Sequence, residues 1–258
     1  MEKPNYPTDL HRKAIEKITN HFHGQHDVDT ILLVNSLARG KGTRESDIDM
    51  AILVDPGADF QTISNLQTSW DRVLETDRAL VAFRNSNQFA HIHLDIIDGQ
   101  FIEEPWEDGT DANYFEVEIG NRLCYSKALA GAGEYFKTLQ SRWLPYYTND
   151  MQVKRLALSK KSCLYELEHI QLLVKRELYF HAHDRLNVSF RKFLQTLFIY
   201  HKTYPISYNK WIKEQIESML NLPELYAELK TIFSVHQFES KELCEKAEII
   251  KNLLQRYT

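Results

Sequence analysis

The sequence predicts an α+β fold, and three observations predict it. Up to about residue 120, short apolar runs alternate with stretches of helical periodicity. Beyond that point every apolar stripe repeats at helical spacing. The two parts also differ in charge. Residues 1–120 hold 22 acidic and 10 basic residues, a net of −12, and residues 121–258 hold 14 and 21, a net of +7. Strands mixed with helices, followed by helices alone, place a small mixed sheet with flanking helices before a C-terminal helical bundle. The boundary is drawn to give domains 1–125 and 126–258.

Each element has its own signal. Asp9–His21 places Leu10, Ala14, Ile15 and Ile18 on one helical stripe, with Asp9 as the expected cap. Thr30–Asn35 is a short apolar run and reads as a buried strand. Asp47–Val54 alternates acidic and apolar residues and then becomes fully apolar, a second strand, which Pro56-Gly57 ends. Phe60–Phe83 reads as one long helix, Phe89–Ile97 as a third strand and Tyr114–Ile119 as a fourth. Five helices are then expected at Glu134–Tyr146, Met151–Tyr179, Leu186–His201, Lys210–Leu220 and Ser240–Tyr257. Turns such as Leu144-Pro145 and Tyr204-Pro205 separate them.

Composition excludes several classes. Hydrophobic residues make up 43% of the 258 and charged residues 26%, enough apolar material for a sizeable core. No apolar run reaches the roughly 18 residues of a membrane span. Met1–Leu10 is polar and lacks the apolar core of a secretory signal. Cys124, Cys163 and Cys244 are odd in number and far apart, which points to packing roles in a reducing, cytoplasmic setting.

The chemistry concentrates between residues 32 and 97. On a strand, side chains repeat every two residues, so Asp47 and Asp49 share one side while Ile48, Met50 and Ile52 face the core. Two neighbouring carboxylates repel each other, and a hard dication such as magnesium removes that penalty. Asp95, in His91-Ile92-His93-Leu94-Asp95-Ile96-Ile97, supplies a third acid if its strand lies beside the first. Three converging carboxylates can hold two ions about 4 Å apart for in-line phosphoryl transfer. Upstream, Leu32-Leu33-Val34-Asn35-Ser36 leads into a turn whose backbone N–H groups and hydroxyl suit phosphate oxygens. Arg39, Lys41 and Arg44 add positive charge nearby.

Asn35-Ser36, the following Leu37-Ala38-Arg39-Gly40 and then Ser46-Asp47-Ile48-Asp49 resemble the signature of the DNA polymerase beta-like nucleotidyltransferase superfamily. Within it the pattern is most similar to bacterial aminoglycoside nucleotidyltransferases and their small relatives. The resemblance covers residues 30–54, with Asp95 as a further element. It implies magnesium on Asp47 and Asp49, triphosphate contact by Ser36, and a site completed by Asp95, which also serves as base. It implies transfer of a nucleoside monophosphate from an NTP, with ATP expected, to an acceptor hydroxyl, with release of pyrophosphate. The chain departs from the family at Asn35, where glycine is usual. Asn is the residue other than glycine that best tolerates left-handed backbone.

Other residues carry competing readings. His91, His93 and Asp95 share a strand face and form a transition-metal cluster or simply flank the magnesium acid. Arg176 and His181 have the spacing of a weak motif in helical ribonucleases paired with small nucleotidyltransferases, against the commoner reading of a solvated helix face. Lys210, in Tyr204-Pro205-Ile206-Ser207-Tyr208-Asn209-Lys210-Trp211, is a candidate for the triphosphate, and Arg185, Arg191 and Lys192 are candidates for lining the cleft. The acidic loop Glu103, Glu104, Glu107, Asp108 and Asp111 would suit a cationic acceptor, an aminoglycoside-like small molecule and hence antibiotic resistance. The alternatives are a toxin–antitoxin component acting on a protein or RNA, and a catalytically weakened nucleotide-binding relative. A nucleic-acid polymerase is the least expected, because the metal-bearing half is acidic.

Overall fold

The computed structural model describes residues 6–107 and 110–258. Residues 1–5 of the polar N-terminal stretch and Asp108 of the acidic loop lie outside the described residues. The chain divides into two compact units, Met1–Phe101 with Ile119–Leu144, and Ile102–Glu118 with Pro145–Thr258.

The first unit is built on a four-stranded mixed sheet. Helix α1 (Asp9–Phe22) precedes β1 (Val28–Leu33), a single turn α2 (Asn35–Ala38) and β2 (Ile48–Val54). Thr8, rather than Asp9, caps α1, its hydroxyl accepting the His11 N–H. Helices α3 (Phe60–Thr76) and α4 (Arg78–Arg84) lead to β3 (Ile92–Ile97). The sheet order is β3-β2-β1-β4, with β4 at Lys127–Ala128. Strand β2 runs antiparallel to β1 and parallel to β3, so both centre strands need cover on their faces. Ile48, Met50, Ile52 and Val54 join Ile15, Ile18, Phe22, Trp70 and Phe83 in one core, which places the alternate positions of β2 on the opposite face. Helix α6 (Glu134–Trp143) completes the unit, its first turn docked on Asp29, which accepts the N–H groups of Tyr135 and Phe136.

Two expectations for the N-terminal half of the chain are corrected. The single helix over Phe60–Phe83 breaks at Asp77, which is extended and serves as the last cap of α3 and the first of α4. The strand expected at Tyr114–Ile119 is instead helix α5 (Phe115–Ile119), running into a π-helical turn at Gly120–Cys124. Its acid–apolar alternation looked like a half-solvated strand. Yet Glu116 is fully buried, so the alternation does not mark a wet face.

The second unit is helical. Long helices α7 (Asn149–Lys175) and α8 (Tyr179–Tyr200) pack with α9 (Pro223–Ile232) and α10 (Glu242–Tyr257) around Cys163, Ile170, Phe193, Leu197, Phe198 and Ile250. The helix expected over Lys210–Leu220 is realised as a π-helical turn at Glu214–Met219. Arg176 caps the end of α7 and His181 sits in α8, with Glu177 in left-handed backbone between them, so the pair does not share one helix. No helix among the described residues is long and apolar enough to cross a membrane.

Candidate functional site

The site grows from the end of β1. Val34 donates its N–H to the Asp49 carbonyl (3.1 Å), which ties the exit of β1 to the acidic strand. The next residue, Asn35, has φ +56°. This is the left-handed geometry glycine takes without cost, and Asn is the side chain that bears it best. Asn35 therefore adopts a backbone conformation that a glycine at this position would also take. Asn35 and Ser36 open α2, and the turn closes with the Lys41 N–H on the Ser36 carbonyl (2.9 Å).

The loop into β2 is held from two sides. The Ser46 hydroxyl accepts the Thr43 N–H (2.8 Å). The Ser46 carbonyl lies 2.9 Å from Nε2 of His11, which is buried in α1. A carbonyl only accepts, so Nε2 carries a proton, and Nδ1 lies 2.7 Å from the Thr8 hydroxyl. The ring is thus a strut that sets the backbone immediately before Asp47. The sequence held a weak signal for it, a histidine four residues before Ile15 on the apolar stripe of α1.

Strand β3 completes the group. Ile48 donates to the His91 carbonyl (2.9 Å), and the parallel register sets Asp49 beside His93 and Ala51 beside Asp95. One ligand atom each from Asp47, Asp49 and His93 lie within 4.8 Å of one another. His93 Nε2 is 3.6 Å from a carboxylate oxygen of Asp47. Asp95 is one register step further along the same face of β3, 3.6 Å from the Arg122 guanidinium. Of the residues the sequence singled out in this unit, Ser36 and Arg39 sit on the turn after β1, Asp47 just before β2, Asp49 on β2, and His93 and Asp95 on β3. The metal cluster considered for His91, His93 and Asp95 is not the group that forms among the described residues: His93 meets Asp47 and Asp49 instead.

Two carboxylates and an imidazole with converging ligand atoms are a donor set that fits a divalent cation. Carboxylate oxygens suit magnesium and manganese, and the imidazole adds a nitrogen that manganese and later metals accept.

The remaining candidates belong to the second unit. Lys210 is exposed there, its carbonyl accepting from the Gln215 side chain (2.9 Å). Lys192 is fully buried and paired with buried Glu166 (2.7 Å), which Arg185 also binds. Arg191 is paired with Asp111 (2.7 Å), and Glu103 with Arg155 (3.1 Å). Part of the acidic loop is therefore neutralised by its own unit.

Residues 16–103 match the family model described as polymerase beta, nucleotidyltransferase. Comparison with curated proteins returns no match. Among solved structures the chain is similar to a nucleotidyltransferase-like protein from Exiguobacterium sibiricum 255-15. The two are 12% identical, with a TM-score of 0.47, and the alignment covers 95% of this chain and 74% of that one. The matched segment carries β1 to β3 together with Asp47, Asp49 and Asp95, and the match supports the DNA polymerase beta-like nucleotidyltransferase superfamily.

Proposed function

We propose that the protein transfers a nucleoside monophosphate from a nucleoside triphosphate, ATP being the expected donor, to a hydroxyl of a small acceptor molecule. The observation that carries this reading is the Asp47–Asp49 pair, side by side at the start of β2, inside the segment that matches the family. In the reaction the acceptor oxygen bonds to the α-phosphorus, the bond to pyrophosphate breaks, and the hydroxyl proton passes to a base. Asp95, exposed on the adjacent strand, is the proposed base.

Asp47 and Asp49 would hold magnesium, which supplies positive charge against the triphosphate. Ser36 would donate its hydroxyl to a phosphate oxygen from the turn that left-handed Asn35 opens. Arg39, at the end of that turn, would add a guanidinium to the triphosphate. The acidic balance of residues 1–120 suits a cationic acceptor of the aminoglycoside class, and modification of such a compound would confer resistance.

The test is a thermal-shift titration with ATP, GTP, CTP and UTP, with and without magnesium. It compares wild type with the Asp47→Asn, Asp49→Asn double variant. A ligand that binds only the folded state raises its stability with concentration. One nucleotide is expected to raise the wild-type melting temperature only when magnesium is present, and the double variant to lose that dependence. A wild type that no nucleotide shifts would overturn the reading and favour a weakened relative that binds a macromolecular partner.

A further inference from the structure

Resting on the nucleotidyl-transfer reading of this site, we infer that the third protein ligand to the metal is His93, not Asp95, so that the centre is a carboxylate–carboxylate–imidazole site suited to manganese. Three features lead there. The parallel register sets His93 directly beside Asp49, whereas Asp95 lies beside Ala51. His93 brings a ring nitrogen into the group of ligand atoms within 4.8 Å, and it approaches Asp47 to 3.6 Å. Asp95 is instead engaged by a cation of the same unit, Arg122, at 3.6 Å. A carboxylate facing a guanidinium has part of its charge already answered, which lowers its pull on a metal.

The consequence is electrostatic as well as geometric. Two carboxylates and a neutral imidazole bring two negative charges to a divalent ion, whereas three carboxylates bring three. The mixed set leaves the ion formally neutralised rather than anionic, and a triphosphate then approaches with less repulsion. The imidazole also changes which ion is preferred. Magnesium favours oxygen and keeps its water, whereas manganese takes oxygen and imidazole nitrogen alike. The assignment also leaves Asp95 available as the proposed base, separate from the metal.

The experiment uses the metal alone, without nucleotide. Mn2+ is titrated into wild type and the variants His93→Asn, His91→Asn, Asp95→Asn and Asp49→Asn. Free Mn2+ is followed by its electron paramagnetic resonance signal, and the bound ion is examined for nitrogen coupling. Mg2+ affinity is measured by competition. His93 is exposed, so its substitution leaves the fold intact, and metal-free melting curves confirm this for each variant.

Bound Mn2+ in wild type is expected to show nitrogen coupling. His93→Asn should abolish the coupling, weaken Mn2+ by roughly tenfold or more, and weaken Mg2+ less. His91→Asn and Asp95→Asn should keep the coupling and stay within about twofold of wild type in Mn2+ affinity. Binding without nitrogen coupling, or coupling that survives His93→Asn, would overturn the assignment. So would an affinity that falls with Asp95→Asn and not with His93→Asn. Each of those outcomes leaves the nucleotidyl-transfer reading standing as long as Asp49→Asn removes binding. Failure of wild type to bind either ion would overturn both readings together.

Discussion

At the scale of single residues, a fully buried ion pair stands in the helical unit. Glu116 and Arg155 are both fully buried and form a two-pronged pair, Nε to Oε1 at 2.5 Å and Nη2 to Oε2 at 2.9 Å. The Tyr147 hydroxyl (3.0 Å) and the Gln195 amide (3.1 Å) occupy further lone pairs of the carboxylate. The Arg155 guanidinium stacks between the rings of Trp106 and Phe115, 4.6 Å from each centre. Burial opposes its charge, and the charge and hydrogen bonds of Glu116 outweigh that and hold its proton more firmly than usual. Removing one partner of such a pair strands a buried charge, which typically costs about 3–5 kcal/mol. Arg155→Met is therefore expected to lower unfolding free energy in urea by that order. The Arg155→Met, Glu116→Met double variant should recover a large part of the loss, because it strands no fully buried charge; Glu103, which also loses Arg155, is partly exposed and keeps Lys154 at 4.0 Å. A single variant as stable as wild type would show that the pair is not needed.

At the scale of elements, the break between α3 and α4 shows how one residue divides an apolar stripe. Asp77 accepts the N–H groups of Ala79 (2.9 Å) and Leu80 (3.3 Å) and pairs with Lys17 of α1 (3.1 Å). Burial would raise its carboxyl, but Lys17 and the two N–H groups prevail and hold it below the ordinary aspartate range. A depressed folded value means the stabilisation is complete above the ordinary range and fades as pH falls through the folded value. Asp77→Ala is expected to cost about 1 kcal/mol at neutral pH. The gap to wild type should close as the medium is acidified below the ordinary aspartate range, followed by denaturant melts across the acid limb. A gap that stayed constant with pH would place the cost elsewhere than in the ionised cap.

At the scale of the whole molecule, the two units have separate cores, and one thiol reports on the helical one. Cys163 lies in α7 with no exposed surface, and burial pushes its thiol up to about 12. Near pH 8 only about one such thiol in ten thousand is ionised, and thiolate is the reactive form. In the native protein Cys163 is expected to resist alkylation while exposed Cys124 reacts, and to become reactive only when the helical unit opens. Peptide mapping after timed labelling in rising urea checks this. Rapid native labelling of Cys163 would show that the core around α7 opens far more readily than its packing implies.

Much of the first unit was legible in the chain itself. Period-two alternation placed Asp47 and Asp49 on one side of β2 and Ile48, Met50 and Ile52 in the core, as the structure has them. Left-handed tolerance made Asn35 a workable residue at the position where the signature it resembles has glycine, and the backbone there is left-handed. The passage from mixed elements to helices gave the α+β class. These features depend on neighbours a few residues away, whose spacing the sequence states directly. Other features depend on partners far along the chain. The acid–apolar alternation at Tyr114–Ile119 does not mark a half-solvated strand, because Glu116 pairs with Arg155, 39 residues on, and is buried. His11 became a strut because α1 packs where its ring meets Ser46, 35 residues away. Only the parallel register of β2 and β3 decided that His93, and not Asp95, stands beside Asp49. Register is set by how two whole strands bury their apolar faces together, and no local spacing within either strand specifies it.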